Sequence, residues 1–252
     1  MTSTTVFITG ASSGIGESLA RHYSSRGCQV GLVARRKDFL EKLAADLQPR
    51  PMTYALDVRD ARALKEAAAD FVARFGVPDI VIANAGVSRG TLTEIADDLN
   101  AFQEIMDINV MGMVNTFHPF IVPMREAGKG TLVGIASVAG FRGIPGGGAY
   151  SASKSAAIIY CESLRVELRG SGISVVTICP GYIRTPMTAV NKFKMPFLID
   201  VDEAVRRFAR AIDAQTSFTV IPWTMGFAAR ILRIVPNWLY DRVFSRMPRK
   251  PR

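Results

Sequence analysis

Seven short apolar runs, at residues 5–9, 30–34, 52–56, 80–83, 131–136, 174–178 and 218–221, alternate with longer stretches of helical periodicity. The helical stretches fall at 14–26, 38–48, 60–75, about 98–127, 150–169 and 202–214. Most of the runs lack polar alternation, which is the pattern of strands covered on both faces. Glycine or proline marks many junctions, as at Gly27, Gly76-Val77-Pro78, Gly170 and Gly172. Repeated strand–helix–strand units with right-handed crossovers give a parallel sheet with helices on both sides. The expected fold class is therefore α/β, a single doubly wound, Rossmann-like sheet with one strand for each run. Such sheets bind ligands beyond the carboxyl ends of their strands, so the informative residues should sit there.

Composition narrows the class. The chain has 252 residues, within the range of one large α/β unit, and no repeat or linker divides it. A hydrophobic fraction of 48% with 21% charged residues is that of a packed globular protein and excludes a disordered one. Cys28, Cys161 and Cys179 are odd in number and lack metal-ligand spacing, which predicts reduced thiols, a cytoplasmic setting and no metal site. The N-terminal segment has no basic n-region, so no signal peptide is expected, and no run approaches the ~18 apolar residues that span a bilayer. The net charge of +9 is uneven. Beyond Ile221, Arg230, Arg233, Arg242, Arg246, Arg249, Lys250 and Arg252 stand against one acid, Asp241, so most of the excess lies there. We accordingly divide the chain into a body, 1–221, and a basic C-terminal helical extension, 222–252.

The first run leads directly into Thr9-Gly10-Ala11-Ser12-Ser13-Gly14-Ile15-Gly16 and then a helical stretch. Glycines permit a tight turn and close backbone approach to a pyrophosphate, and the helix N-terminus offers unpaired N–H groups and a favourable dipole. An ordinary glycine turn is the alternative reading. The second run ends at Ala34 and is followed by Arg35 and Arg36. A carboxylate at that point would bond the ribose 2′-OH of NAD, whereas two guanidinium groups favour the 2′-phosphate of NADP. The alternative is a solvated basic strand end. Asp57 with Val58, after the third run, is placed to accept from an adenine amino group, or else to cap a helix.

Tyr150-Ser151-Ala152-Ser153-Lys154 puts a tyrosine and a lysine four apart, on one helix face. A phenol titrates near ~10, too high for efficient proton transfer at neutral pH, and a neighbouring cation would lower that value. Ser137 follows the fifth run, where a hydroxyl can bond a substrate oxygen; a helix or turn cap is its plain alternative. Asn109 lies mid-helix, as a functional group or a satisfied core amide, and Asn84-Ala85-Gly86 closes the fourth run, as a cofactor passage or a turn. His22 and His118 read as ordinary helical residues.

Taken together, Thr9-Gly10-Ala11-Ser12-Ser13-Gly14-Ile15-Gly16, Asn84-Ala85-Gly86, Asn109, Ser137, Tyr150 with Lys154, and Pro180-Gly181 resemble the classical short-chain dehydrogenase/reductase family over roughly residues 4–221. The resemblance implies an NADP(H)-dependent enzyme interconverting a carbonyl and an alcohol by hydride transfer. It makes Tyr150 the general acid in reduction and has Ser137 orient the carbonyl. Lys154 would then lower the tyrosine pKa and bond the nicotinamide ribose, and Asn109 would hold a water of a proton relay. Thr185, near Ile183 in Pro180-Gly181-Tyr182-Ile183-Arg184-Thr185, would contact the nicotinamide carboxamide or the pyrophosphate. Ala34 with Arg35 is similar to the NADP-preferring branch, while Ala83 stands where many members have a second asparagine. A homodimer or homotetramer through the helices at 98–127 and 150–169 is implied as well.

On the substrate side, the long connection 182–200 corresponds to the family's mobile lid. Its Met187, Phe193, Met195, Phe197 and Leu198, with Phe141 and Ile144 from the loop after Ser137, predict an apolar pocket for a hydrophobic ketone or aldehyde. In the extension, Phe227, Ile231, Leu232, Ile234 and Val235 interleave with Arg230 and Arg233. After Pro236, Trp238, Leu239, Val243, Phe244 and Met247 interleave with Arg242 and Arg246. Two short basic amphipathic helices are expected, which would pack on the body or on a partner subunit over the active site, attach to a membrane surface or simply aid solubility. Nucleic acid is not an expected partner, because the basic residues are not combined with stacking aromatics across the body. A non-catalytic NADP-binding or membrane-associated interaction protein on the same fold is the competing function.

Overall fold

The computed structural model describes residues 4–191 and 193–246. Lys192 of the long connection, and Met247, Arg249, Lys250 and Arg252 of the extension, lie outside the described residues. The seven expected runs form one sheet: β1 (Thr5–Thr9), β2 (Gln29–Ala34), β3 (Met52–Ala55), β4 (Ile80–Ala83), β5 (Gly130–Ile135), β6 (Ile173–Pro180) and, last in the chain, Phe218–Ile221. The helices between them are α1 (Gly14–Ser25), α2 (Lys37–Asp46), α3 (Ala61–Phe75), α4 (Asp97–Met106), α5 (Gly112–Ala127) and α6 (Gly148–Glu167). Within the long connection lie β7 (Ile183–Arg184), α7 (Pro186–Ala189) and β8 (Ile199–Asp200), followed by α8 (Val201–Asp213). The seventh strand of the main sheet is thus β9, and the extension forms α9 (Trp223–Ile234) and α10 (Asn237–Phe244), separated at Pro236.

Strand order is β3-β2-β1-β4-β5-β6-β9, every pairing parallel, with Val6 opposite Val30 on one side and Ile80 on the other. All five residues of β1 are buried, which is why its sequence shows no alternation. One core packs Leu19, Tyr23, Leu40 and Phe208 beneath one face of the sheet; the other packs Leu64, Phe71, Phe117 and Phe120. The order reverses between β1 and β4, so a crevice opens beyond their carboxyl ends. No described helix is long and apolar enough to cross a membrane.

One expectation is corrected. The stretch at 98–127 is not a single helix: a π-helical turn, Asp107–Met111, separates α4 from α5. Such turns insert a residue into the regular ladder and recur at functional sites. Here the insertion carries Asn109.

Candidate active site

The crevice at the switch point is a cleft of about 360 Å³. Of the glycine-rich turn, Gly10, Ser12, Ser13, Gly14 and Ile15 line it; so do Arg35, Arg36, Asp57, Val58, Asn84, Ala85 and Gly86 from the ends of the next strands. Its far side is closed by Ser137, Tyr150, Lys154, Pro180, Gly181, Ile183 and Thr185. Gly16 does not line it. A Cβ there would sit 2.1 Å from the Gly10 carbonyl oxygen and 2.6 Å from Asn84 Nδ2, so this glycine lets the turn close on itself. Gly10 has φ +70°, and a Cβ would lie 2.7 Å from Ala85 Cα. The turn is pinned from β4: Asn84 Nδ2 donates to the carbonyls of Thr9 at 3.1 Å and Gly10 at 3.2 Å. Asn84 is thus a turn-former that also faces the cleft.

Arg36 reaches back from the end of β2 to donate to the Ser12 and Ser13 hydroxyls at 2.9 and 3.0 Å. Arg35 lies 3.8 Å from Asp57 and 4.0 Å from Glu104, too far for hydrogen bonds. Two exposed cations and two hydroxyls therefore stand at one end of a cleft floored by backbone and a helix N-terminus. That donor set fits the phosphates of a dinucleotide. Asp57 does not cap α3; Asp60 does, accepting from Ala63 N–H at 2.9 Å. Asp57 instead accepts a two-pronged contact from Arg59, at 3.1 and 2.8 Å, which with Arg35 holds its carboxyl below the usual range despite partial burial.

Ser137 realises its plain reading as a cap and also faces Tyr150. Its Oγ accepts from Ala139 N–H at 3.1 Å, capping a 3₁₀ turn at Val138–Gly140, and its side chain also hydrogen-bonds Tyr150. Burial pushes the Tyr150 phenol above its ordinary value, with the Ser137 bond pulling the other way. Lys154 is 4% exposed and donates to the Ile135 carbonyl at 2.8 Å; burial drives its pKa down to about 8. Its Nζ is 5.9 Å from the Tyr150 ring centroid. Desolvation dominates both groups and moves both toward their neutral forms.

Asn109 is fully buried and does not line the cleft. Its Nδ2 donates to Val87 O at 3.0 Å and Ser153 Oγ at 2.9 Å, and its Oδ1 accepts from Val87 N–H at 2.8 Å. The side chain is a satisfied amide that ties the end of β4 to α6. Thr185 caps α7 in a capping box with Thr188, and a Cβ added at Gly14 of the turn would lie 3.3 Å from its side chain.

A second cavity of about 240 Å³ opens from the same edge. All the expected substrate residues, Ser137, Phe141, Ile144, Tyr150 and Met187, line it, as does Phe193; Met195, Phe197 and Leu198 do not. The extension supplies its roof, through residues that the sequence reading did not single out for that face. Met225, Ala229 and Leu232 of α9 and Tyr240 and Phe244 of α10 cover the cavity. Arg142 latches them: it donates to the carbonyls of Leu232 and Val235 and to Asn237 Oδ1, and stacks 3.8 Å from the Tyr240 ring centroid. Tyr240 returns a bond to the Gly143 carbonyl. The spacing of Met225, Ala229 and Leu232, one helical stripe, was the available signal; the latch had none, since most of its acceptors are backbone. Of the readings of the extension, packing over the site is therefore observed, whatever its outer face does.

Residues 4–195 match the family described as short chain dehydrogenase. A Myxococcus xanthus protein named an uncharacterized oxidoreductase is 39% identical over 249 residues, covering 96% of this chain and 97% of its own. A short-chain dehydrogenase from Streptomyces avermitilis shares the fold at a TM-score of 0.82 with 24% identity, over 97% of this chain and 100% of that one. An actinorhodin polyketide ketoreductase solved with NADPH superposes at 0.78 with 27% identity, over 87% of this chain and 95% of its own. The chain belongs to the short-chain dehydrogenase/reductase family.

Proposed function

We propose that the protein is an NADP(H)-dependent oxidoreductase that interconverts a carbonyl and an alcohol, working as a reductase on a hydrophobic ketone or aldehyde. One observation carries the reading: Ser137 and Tyr150 form the shared edge between a polar, glycine-floored cleft and an apolar cavity. A dinucleotide in the first and a carbonyl compound in the second would meet at those two hydroxyls. The NADPH held by the similar ketoreductase supports a nicotinamide cofactor. The preference for its 2′-phosphorylated form rests on Arg35 and Arg36, with Ser12 and Ser13, where NAD binding would want a carboxylate.

The bound nicotinamide would supply the hydride. The chain's residues do the rest. Tyr150, held protonated by its burial, donates to the carbonyl oxygen, and Ser137 orients that oxygen beside it. Lys154, fixed by Ile135, places positive charge on the far side of the cleft. Asn109 locks Val87 and α6 in register; its side chain is committed, so any water it holds would be held by backbone carbonyls that the π turn releases from regular pairing. The division at residue 221 and a homo-oligomer through α4, α5 and α6 belong to the same reading, the latter supported by exposed Val122, Ile159 and Val166 on those helices. A protein that only bound NADP would have no use for an acid at this edge.

NADPH oxidation with a panel of hydrophobic ketones and small sugars tests the substrate class; a preference for sugars would sink it. Tyr150→Phe should retain NADPH binding while turnover falls by orders of magnitude. Unchanged turnover would remove Tyr150 from the chemistry.

A further inference from the structure

α9 is apolar on two opposite faces. Met225, Ala229 and Leu232 turn into the cavity, while Trp223, Phe227 and Ile234 point away at 75%, 65% and 80% exposure. α10 repeats the arrangement: Tyr240 and Phe244 stack against each other and line the cavity, and Trp238 stands outside at 71%. A helix pair that only roofed a cavity would carry polar residues outside. Arg230 falls in the outer stripe of α9, and Arg233, Arg242 and Arg246 flank it, all exposed. None of the four is paired with a carboxylate among the described residues.

We propose that the outer face of α9 and α10 docks on the surface of an anionic lipid bilayer. Aromatic and aliphatic side chains would enter the boundary between headgroups and acyl chains, and the arginines would meet lipid phosphates and carboxylates. With α9 and α10 only 12 and 8 residues long, the pair lies on the bilayer and does not traverse it. A second copy of the chain fits this face poorly. A two-fold contact would set the arginines against their own copies, with Asp241 the one acid of the helix pair. The bilayer supplies the missing negative charge. Docking would also rest the roof of the apolar cavity on the phase where water-insoluble carbonyl compounds collect; this consequence, unlike the docking, depends on the function proposed above.

The test is built into the chain, whose two tryptophans, Trp223 and Trp238, both lie on this face. Phosphatidylserine–phosphatidylcholine vesicles should shift their fluorescence to the blue and sediment the protein, whereas phosphatidylcholine alone should do little. Arg230→Gln combined with Arg233→Gln should weaken partitioning by roughly 30-fold, with the far-UV circular dichroism unchanged. Three results would overturn the proposal. One is no shift at millimolar anionic lipid, and another is equal binding to neutral vesicles or by the double variant. The third is a lipid-free blue shift that tracks protein concentration and a dimer mass in sedimentation velocity, which would give the face to a second copy.

Discussion

Replacing Lys154 by methionine separates what this residue does for activity from what it does to the fold. The lysine is 4% exposed, and burial lowers its pKa from 10.5 to about 8. A displacement of that size corresponds to about 3 kcal/mol of destabilisation whenever the side chain is charged in both states, which is below pH 8. Methionine fills similar volume without the charge, but leaves the Ile135 carbonyl without its 2.8 Å donor, a loss of about 1–3 kcal/mol. At pH 7 the variant should therefore match or exceed wild type by up to about 2 kcal/mol, a few degrees in Tm. The pH dependence is sharper. Between about pH 8 and 10.5 the unfolded wild-type chain retains a proton that the folded chain has released, so wild-type stability gains relative to the variant as pH rises. Across that window the difference should move by about 3 kcal/mol in wild type's favour. The buried thiols of Cys161 and Cys179, both pushed up to about 12, titrate in each protein and largely cancel. Chemical denaturation of both proteins from pH 7 to pH 10 reads the difference directly. A gap that does not change with pH, or a variant several kcal/mol weaker at pH 7, would show that burial of the charge is not the controlling force.

Arg142→Ala removes three hydrogen bonds and a cation–π contact from the roof, about 3 kcal/mol at a partly exposed site, so amides of α9 and α10 should exchange more than a hundredfold faster. Unchanged exchange would mean that the roof is held elsewhere. Arg36→Ala should weaken NADPH binding by roughly 10- to 100-fold and NADH binding far less, because only one carries the extra phosphate; equal losses would place Arg36 outside the selection. Gly16→Ala forces a Cβ against the Gly10 carbonyl and Asn84, and should cost about 2 kcal/mol or more in stability together with dinucleotide affinity. A wild-type Tm would refute that reading of the turn.

The strands were legible because burial on both faces leaves a direct mark, an unbroken apolar run, and because order along the chain leaves few topologies open. The cleft followed from the same logic: its lining sits at strand ends, where the reading placed it. What the sequence hid was interaction with no periodic signature. One inserted residue at the π turn does not disturb the apolar pattern enough to be seen, so Asn109 read as mid-helix. Asp57 and Asp60 both precede α3, and only the exact start of the helix, at Ala61, makes Asp60 the cap and leaves Asp57 to Arg59. In the extension the apolar residues were all visible, but they were read as one face of an amphipathic helix when α9 has two, Leu232 turning inward and Phe227 outward.

The depth at which Lys154 is buried also changes how the pair with Tyr150 should be understood. The spacing of four residues suggests an ammonium stabilising a phenolate. Here desolvation raises one pKa and lowers the other, so the fold favours a neutral phenol and makes the ammonium easier to lose. A group that stays protonated is suited to giving a proton up when an oxygen beside it gains negative charge. That charge would arise at the edge where Ser137 already bonds Tyr150, and in a low-dielectric site the nearby cation acts on it more strongly than it would in water. On this account Lys154 would contribute through the charge that develops during the reaction more than through the resting acidity of the tyrosine. The destabilisation it imposes on the folded chain is then the consequence of keeping a cation where only the reacting state needs it.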